Sequence, residues 1–223
     1  MNRQTSFSVC GESLPAPMHI CGFFDSKEQQ YEVIIPYIME GLKANDKVVN
    51  ILEGERHGEH CSCLADNGIS ISEKLLSGQL EVLASENTYI NGGEFAAERM
   101  YKMLEQTLLS ASRAGYESVR ACGDMVWALK NLPGTDELLE YEASLNLLTP
   151  KHDVSLICMY DINSFSPSTL TDILLTHPYV IKNGKISKNQ YYVEPLQFLA
   201  NPSNFRSSPL KLKYFYFLIG RQQ

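Results

Sequence analysis

At 223 residues, with 44% hydrophobic and 20% charged, the chain has the make-up of an ordinary globular domain with room for a substantial core. Its formal charge of −7 argues against direct nucleic-acid binding, which needs a basic face to neutralise phosphates. No window offers the roughly 18 to 20 apolar residues of a membrane span. The opening MNRQTSFSVCGESLPAP lacks the apolar core of a signal peptide, so the expected setting is cytoplasmic, away from membranes. Six cysteines, at 10, 21, 61, 63, 122 and 158, fit that compartment as free thiols.

In chain order, residues 1–17 are polar, contain Pro15 and Pro17, and read as a loose leader. A short apolar strand covers 19–24. Ser26 then caps a helix whose apolar positions Tyr31, Ile34, Ile35, Ile38 and Leu42 recur at helical spacing, with Pro36 predicting a kink or two pieces. A buried strand spans 47–52 and a short helix 57–66, ended by Asn67-Gly68. A strand at 80–83, a loop at 88–93 and the longest helix, 94–114, follow. Gly115 stops that helix.

A strand at 119–122 leads through Trp127 and a Pro133-Gly134 break into a helix at 136–148. A strand at 154–160, a helix at 167–175 and a strand at 180–181 come next. Asn183-Gly184 turns that last strand into 185–187, a C-terminal hairpin. The remaining 196–223 is an extension of undefined role, in which the apolar, aromatic run 211–219 reads as an added strand or a homo-oligomer contact. Strands that alternate with helices and read as nearly continuous apolar runs predict an α/β domain: three layers around a mostly parallel sheet.

In such sheets ligands bind beyond the carboxyl ends of the strands. Those ends carry Asp25, Glu53, Glu86, Asp124 and Asp161, while the strands themselves are nearly uncharged. The functional reading is an acidic crevice for a polar or cationic ligand; the plainer one is that strand exits meet water and acids cap the next helix. Trp127, Tyr141, Tyr160 and Tyr192 would suit an apolar or methylated molecule, or simply pack the core. Glu142 and Asn146, four apart on one helix face, form the best polar cluster, with Asp124 placed opposite them. His57, His60 and Cys61 make the only metal-like run, but no second pair of ligands stands elsewhere in the chain. No cofactor is expected. Neither a Gly-x-Ser-x-Gly elbow nor a paired catalytic cysteine and histidine is present, and a non-enzymatic role is expected.

Five separated motifs, HICGFFD (19–25), the stretch from RACGDMVW to EYEASLN (120–146), ICMYD (157–161), THPYVI (176–181) and YYVEP (191–195), resemble in order and spacing the MEDS family of methanogen, methylotroph and DcmR-type sensory domains. The resemblance covers residues 18–195. It implies a RecA/KaiC-like P-loop NTPase fold and the sensing of a small organic molecule, such as a one-carbon or hydrocarbon derivative. His19, Phe23 and Phe24 fall on the family's H-x-x-x-F-[FY] signature, and His177 on its T-H-P-Y motif. All four are candidate ligand contacts, and His19 could also act as a proton-linked switch. Because His19 begins its strand, the wrong end for the crevice, a structural hydrogen bond is the favoured reading of both histidines.

After the first strand, however, stands GFFDSKE where a Walker A loop has G-x-x-x-x-G-K-[ST]. Asp25 puts negative charge where phosphate would lie, so the usual route to ATP hydrolysis is not expected. Relatives join this domain to a DNA-binding helix-turn-helix or a histidine kinase. Here the output is expected to pass to a separate signalling or transcription-regulatory protein. Two alternatives stand beside the sensor: a nucleotide binder with a non-standard loop, and a metal or thiol redox module.

Overall fold

The computed structural model describes residues 6–205. The chain opens with a hairpin, β1 (Ser6–Val9) against antiparallel β2 (Glu12–Pro15). This corrects the expected loose leader: Phe7 and Val9 are buried and join the core beneath α1, which offsets the ordering entropy of the segment. Next come β3 (Met18–Phe24), α1 (Lys27–Lys43), β4 (Lys47–Leu52), α2 (His57–Asp66), α3 (Ile71–Leu76) and β5 (Leu80–Ala84). The chain continues with α4 (Ala97–Arg113), β6 (Val119–Asp124), α5 (Leu138–Leu148), β7 (Val154–Asp161) and α6 (Pro167–Ile173). It closes with β8 (Tyr179–Lys182), β9 (Lys185–Lys188) and α7 (Pro195–Ala200). The run 211–219 lies outside the described residues.

Ser26 caps α1 as expected, its hydroxyl accepting from the Gln29 amide. The helix is one element, not the two pieces that are one of the alternatives at Pro36. Both Pro36 and Glu32, whose carbonyl loses its partner there, lie on the exposed face, where water substitutes. Helix α4 begins three residues later than predicted, because the Phe95 amide donates to the Pro133 carbonyl at 2.9 Å. Gly134 makes that approach possible: at φ +81°, a Cβ there would stand 2.0 Å from the Phe95 carbonyl oxygen.

The seven-stranded sheet has the order β5-β4-β6-β7-β3-β8-β9, parallel throughout except for the antiparallel edge strand β9. Every residue of β3 and β4 is buried, as befits strands covered on both faces. One core joins the sheet to α4, α5, α6 and α7; the other joins it to the hairpin, α1 and α2. Neighbours β3 and β7 send their following helices, α1 and α6, to opposite faces. That divergence opens a crevice at their carboxyl ends.

Candidate functional site

A cleft of about 190 Å³ occupies that switch point, bounded by Phe24, Asp25, Gln30, Arg56, Asp124 and Asp161. Arg56, just ahead of α2, reaches across it to pair with Asp124 at the end of β6. Its other Nη donates to Gln30 Oε1 at 2.9 Å, and the second Asp124 oxygen accepts from the Val126 amide at 3.1 Å. Burial pushes the Asp124 carboxyl pKa up, against the pull of Arg56. A larger concavity of about 610 Å³ on the outer side of α1 is an open groove lined by Tyr31, Ile35, Pro36 and Met39. Its polar lining, Glu28, Glu32, Glu40, Lys43 and Asn67, lies along α1 and the end of α2, away from the carboxyl ends of the strands where such sheets bind ligands.

The other strand-end acids divide. Asp161 makes a local turn, accepting from the Asn163 amide at 2.8 Å and the Ser164 hydroxyl at 2.5 Å, which is the plainer of its two readings. Asp25 is exposed at the rim, its carbonyl accepting from the Asn163 side chain at 2.8 Å. Glu53 and Glu86 share Lys130, at 3.0 and 3.2 Å. Lys27, in the segment that replaces a phosphate loop, instead pairs with Glu59 at 3.0 Å. Phe24 folds back over Gly22, where a Cβ would lie 2.5 Å from the ring; the glycine there makes room for an aromatic.

A second polar assembly lies inside the other core. His19 opens β3, Cys158 and Tyr160 alternate along β7, Glu142 and Asn146 share a face of α5, and His177 follows α6. All are buried. His19 Nε2 stands 3.0 Å from Glu142 Oε2, and its Nδ1 3.2 Å from Asn146 Oδ1. The Asn146 amide is oriented by donating to the Thr176 carbonyl at 2.7 Å, so its oxygen faces His19 and accepts from Nδ1–H. His177 Nδ1 lies 2.9 Å from the Ile173 carbonyl and 3.0 Å from the Thr176 hydroxyl; because the carbonyl can only accept, the Nδ1–H tautomer is the one that satisfies it. Glu142 accepts from Tyr160 OH at 2.5 Å and from the Cys158 thiol at 3.3 Å. Burial, then the neighbouring His177, lowers the His19 pKa to about 4. Burial, then Glu142, holds the Cys158 thiol well above its usual range.

The expected trio of Asp124, Glu142 and Asn146 is therefore split. Arg120, Cys122 and Asp124 point to the α1 face of the sheet, whereas Glu142 and Asn146 approach from α5 on the opposite face. Strand periodicity separates them whatever the helix does. Phe23 likewise packs inward, edge-on to Tyr160, while Phe24 reaches the cleft.

Trp127 does not line an opening. It is wholly buried between Tyr89 and Phe95, with ring centroids 4.8 and 4.5 Å away, and the Tyr141 ring stands edge-on to both partners. Those neighbours fill the space a ligand would have taken. Tyr192 is half-buried beyond the hairpin end. Nor do His57, His60 and Cys61 converge: His60 turns inward and stacks on Tyr31, and among the described residues they form no group of metal-ligand atoms. Sequence reasoning missed Arg56, Gln30 and Cys158. Only Cys158 left a signal, two residues before Tyr160 and so on the same face of its strand.

The profile of the MEDS family, the methanogen/methylotroph, DcmR sensory domain, matches residues 18–178. Over 172 residues the chain is 28% identical to the transcriptional repressor DcmR of Methylorubrum extorquens, covering 76% of this chain. It spans 61% of that relative's length. A KaiC-like protein from the hyperthermophilic archaeon Pyrococcus horikoshii superposes with a TM-score of 0.54 at 12% identity, over 77% of this chain and 74% of that one. At such identity the likeness speaks for the RecA/KaiC-like fold, in agreement with the parallel sheet and its switch point. With the family profile matched over residues 18–178, most of the chain, this protein belongs to the MEDS family of sensory domains.

Proposed function

We propose that the chain is a ligand-sensing domain whose effector, a small polar organic molecule, binds in the cleft between Phe24, Arg56 and Asp124 without being turned over. One observation carries this reading: the partly buried Arg56–Asp124 pair spans a cleft at the topological switch point, held by Gln30 on one side. A desolvated pair at a cavity mouth exchanges partners readily, since a ligand can take over either charge. At about 190 Å³ the cleft has the volume of about six waters, below the roughly 300 to 1,000 Å³ of drug-sized pockets. Its size and its Asp25, Glu53 and Asp161 rim favour a one-carbon or short organic compound over a nucleotide triphosphate.

The output follows from which groups the ligand would disturb. Arg56 leads into α2, and Val126 leads into the loop that carries Trp127. A ligand that binds better when these approach each other shifts the population toward a closed cleft and alters the surface of α2. The repressor named among the relatives supports a regulatory output.

Thermal unfolding against methylamines, methyl sulfides, short alcohols and nucleotides tests the proposal. A ligand present at 100 times its Kd raises native stability by about 2.7 kcal/mol. The expected result is a shift with a small organic compound that Arg56→Ala and Asp124→Asn each abolish. A shift that survives both substitutions would place the site elsewhere, and a shift with nucleotides alone would favour a nucleotide-binding function.

A further inference from the structure

The buried assembly beneath the sheet has a geometry that its hydrogen bonds leave incomplete. His19 commits its Nδ1–H to Asn146, and His177 commits its own to the Ile173 carbonyl. Both Nε2 lone pairs then turn inward, toward Glu142 Oε2 at 3.0 and 3.4 Å. Two lone pairs aimed at a carboxylate repel unless something positive lies between them. His177 is wholly buried, and its Nε2 has no hydrogen-bond partner among the described residues. Cys158 Sγ completes the ring, 3.4 Å from His19 Nε2 and 3.3 Å from Glu142 Oε2.

We infer that His19 Nε2, His177 Nε2, Glu142 Oε2 and Cys158 Sγ form a four-ligand site for a divalent transition metal, with Zn²⁺ the best match. All four atoms lie within 4.8 Å of one another. Tetrahedral zinc, with bonds of about 2.0–2.1 Å to nitrogen and oxygen and about 2.3 Å to sulfur, has ligand–ligand edges of roughly 3.3 to 3.6 Å. Four of the six ligand–ligand separations, 3.0, 3.3, 3.4 and 3.4 Å, already stand near those edges, and the other two stay within 4.8 Å. Two neutral imidazoles, one carboxylate and one thiolate carry a charge of −2, which a divalent ion cancels. On binding, the Cys158 thiol releases its proton to solvent and its sulfur replaces the S–H···O contact with a metal bond. Borderline-soft donors in a tetrahedron suit zinc better than calcium or magnesium, which take oxygen sets.

The surrounding shell is that of a metal site. Asn146 and the Ile173 carbonyl fix the tautomers and ring angles of the two histidines, and Tyr160 OH holds the free oxygen of Glu142 at 2.5 Å. With every ligand buried and no position left to water, the site is of the closed, structural kind. It would join β3, α5, β7 and the segment after α6 at one point. The Arg56–Asp124 pair itself lies on the opposite face of the sheet, although Tyr160 both lines that cleft and holds Glu142 here.

Because the ligands are buried, the metal must enter during folding. The full chain is therefore unfolded, refolded with Zn²⁺ or Co²⁺, freed of loose metal and assayed by elemental analysis. One equivalent per chain is expected. The Co²⁺ form should show the intense visible bands of a tetrahedral site and a thiolate charge-transfer band. Cys158→Ser should remove the charge-transfer band, and Tyr160→Phe should weaken affinity by about 10- to 100-fold. Replacing Cys61 and Cys63 together by serine should leave stoichiometry and spectrum unchanged. Absence of stoichiometric metal from the refolded wild type would overturn the inference. So would binding or a thiolate band that is retained in Cys158→Ser and lost in the Cys61/Cys63 variant. If variants of the buried ligands do not fold, the wild-type cobalt spectrum decides alone: an octahedral, thiolate-free spectrum refutes the site.

Discussion

His60 is buried under the ring of Tyr31, with Arg56, His57 and Glu59 around it. Burial, then the Arg56 charge, lowers its pKa to about 4. The unfolded chain titrates this histidine near 6.5, so below that pH the unfolded state takes up a proton the native state refuses. The contribution is therefore intact above about pH 6.5 and is lost as pH falls toward 4. Each tenfold difference in proton affinity between the two states is worth about 1.36 kcal/mol, so the loss by pH 4.5 is roughly 2 to 3 kcal/mol. His60→Phe keeps the aromatic stack and removes the titration. Urea unfolding of both proteins at neutral pH and at about pH 4.5 should show a smaller acid loss in the variant by that amount. Equal losses would mean that His60 is protonated in the folded protein. Other groups that titrate in this window, His19 among them, are common to both proteins and cancel in the comparison.

Among the elements, β6 combines the most buried cation with the most exacting neighbours. Arg120 lies wholly inside, its Nε donating to Asp46 at 2.7 Å and an Nη to Glu40 at 3.0 Å, with the rings of Phe7 and Tyr37 5.0 and 4.9 Å from its guanidinium carbon. This one side chain ties the N-terminal hairpin, α1 and the β4 entry to the sheet. Removing one partner of a buried pair strands the other charge, so Arg120→Ala should cost roughly 3 to 5 kcal/mol in chemical unfolding. The double variant Arg120→Met, Asp46→Asn should recover a substantial part of it. Additive losses in the double-mutant cycle would show that the pair is not coupled. The same network explains what the sequence concealed. The strands and their order along the chain were legible from apolar runs, and α1, α2 and the final hairpin from caps and turns. The hairpin at 6–15 was not, because its anchors Phe7 and Val9 are few and its binding surface is made by α1 and Arg120, distant in sequence. Helix α3, with only six residues and no side-chain cap, left no usable pattern either. For the candidate sites, helical spacing correctly paired Glu142 with Asn146. Locating their partners required the strand order, which brings β3 beside β7 and sends Asp124 to the other face.

At the scale of the whole molecule, stability is expected to fall from the centre of the sheet to its edges, and that gradient limits where a signal can travel. Strands β3, β4, β6 and β7 form the continuous interior, whereas β9 shows a single buried residue and β2 none. Central amides should exchange with solvent only through global unfolding, those of β9 and β2 through less demanding local opening. An effector in the cleft cannot move strands already at the stability ceiling without unfolding the domain. Its effect must appear in the loops and helix starts that border the cleft: the first turn of α1, residues 54–60 and residues 125–130. Hydrogen exchange with and without a saturating effector should therefore show added protection in those three segments and almost none in the central strands. Protection confined to β3 and β7 would mean that the ligand acts through the buried core, and the cleft would no longer be its site. Protection in the loops would place the output surface on α2, the outer helix directly joined to Arg56, and make its exposed face the first place to seek the partner protein.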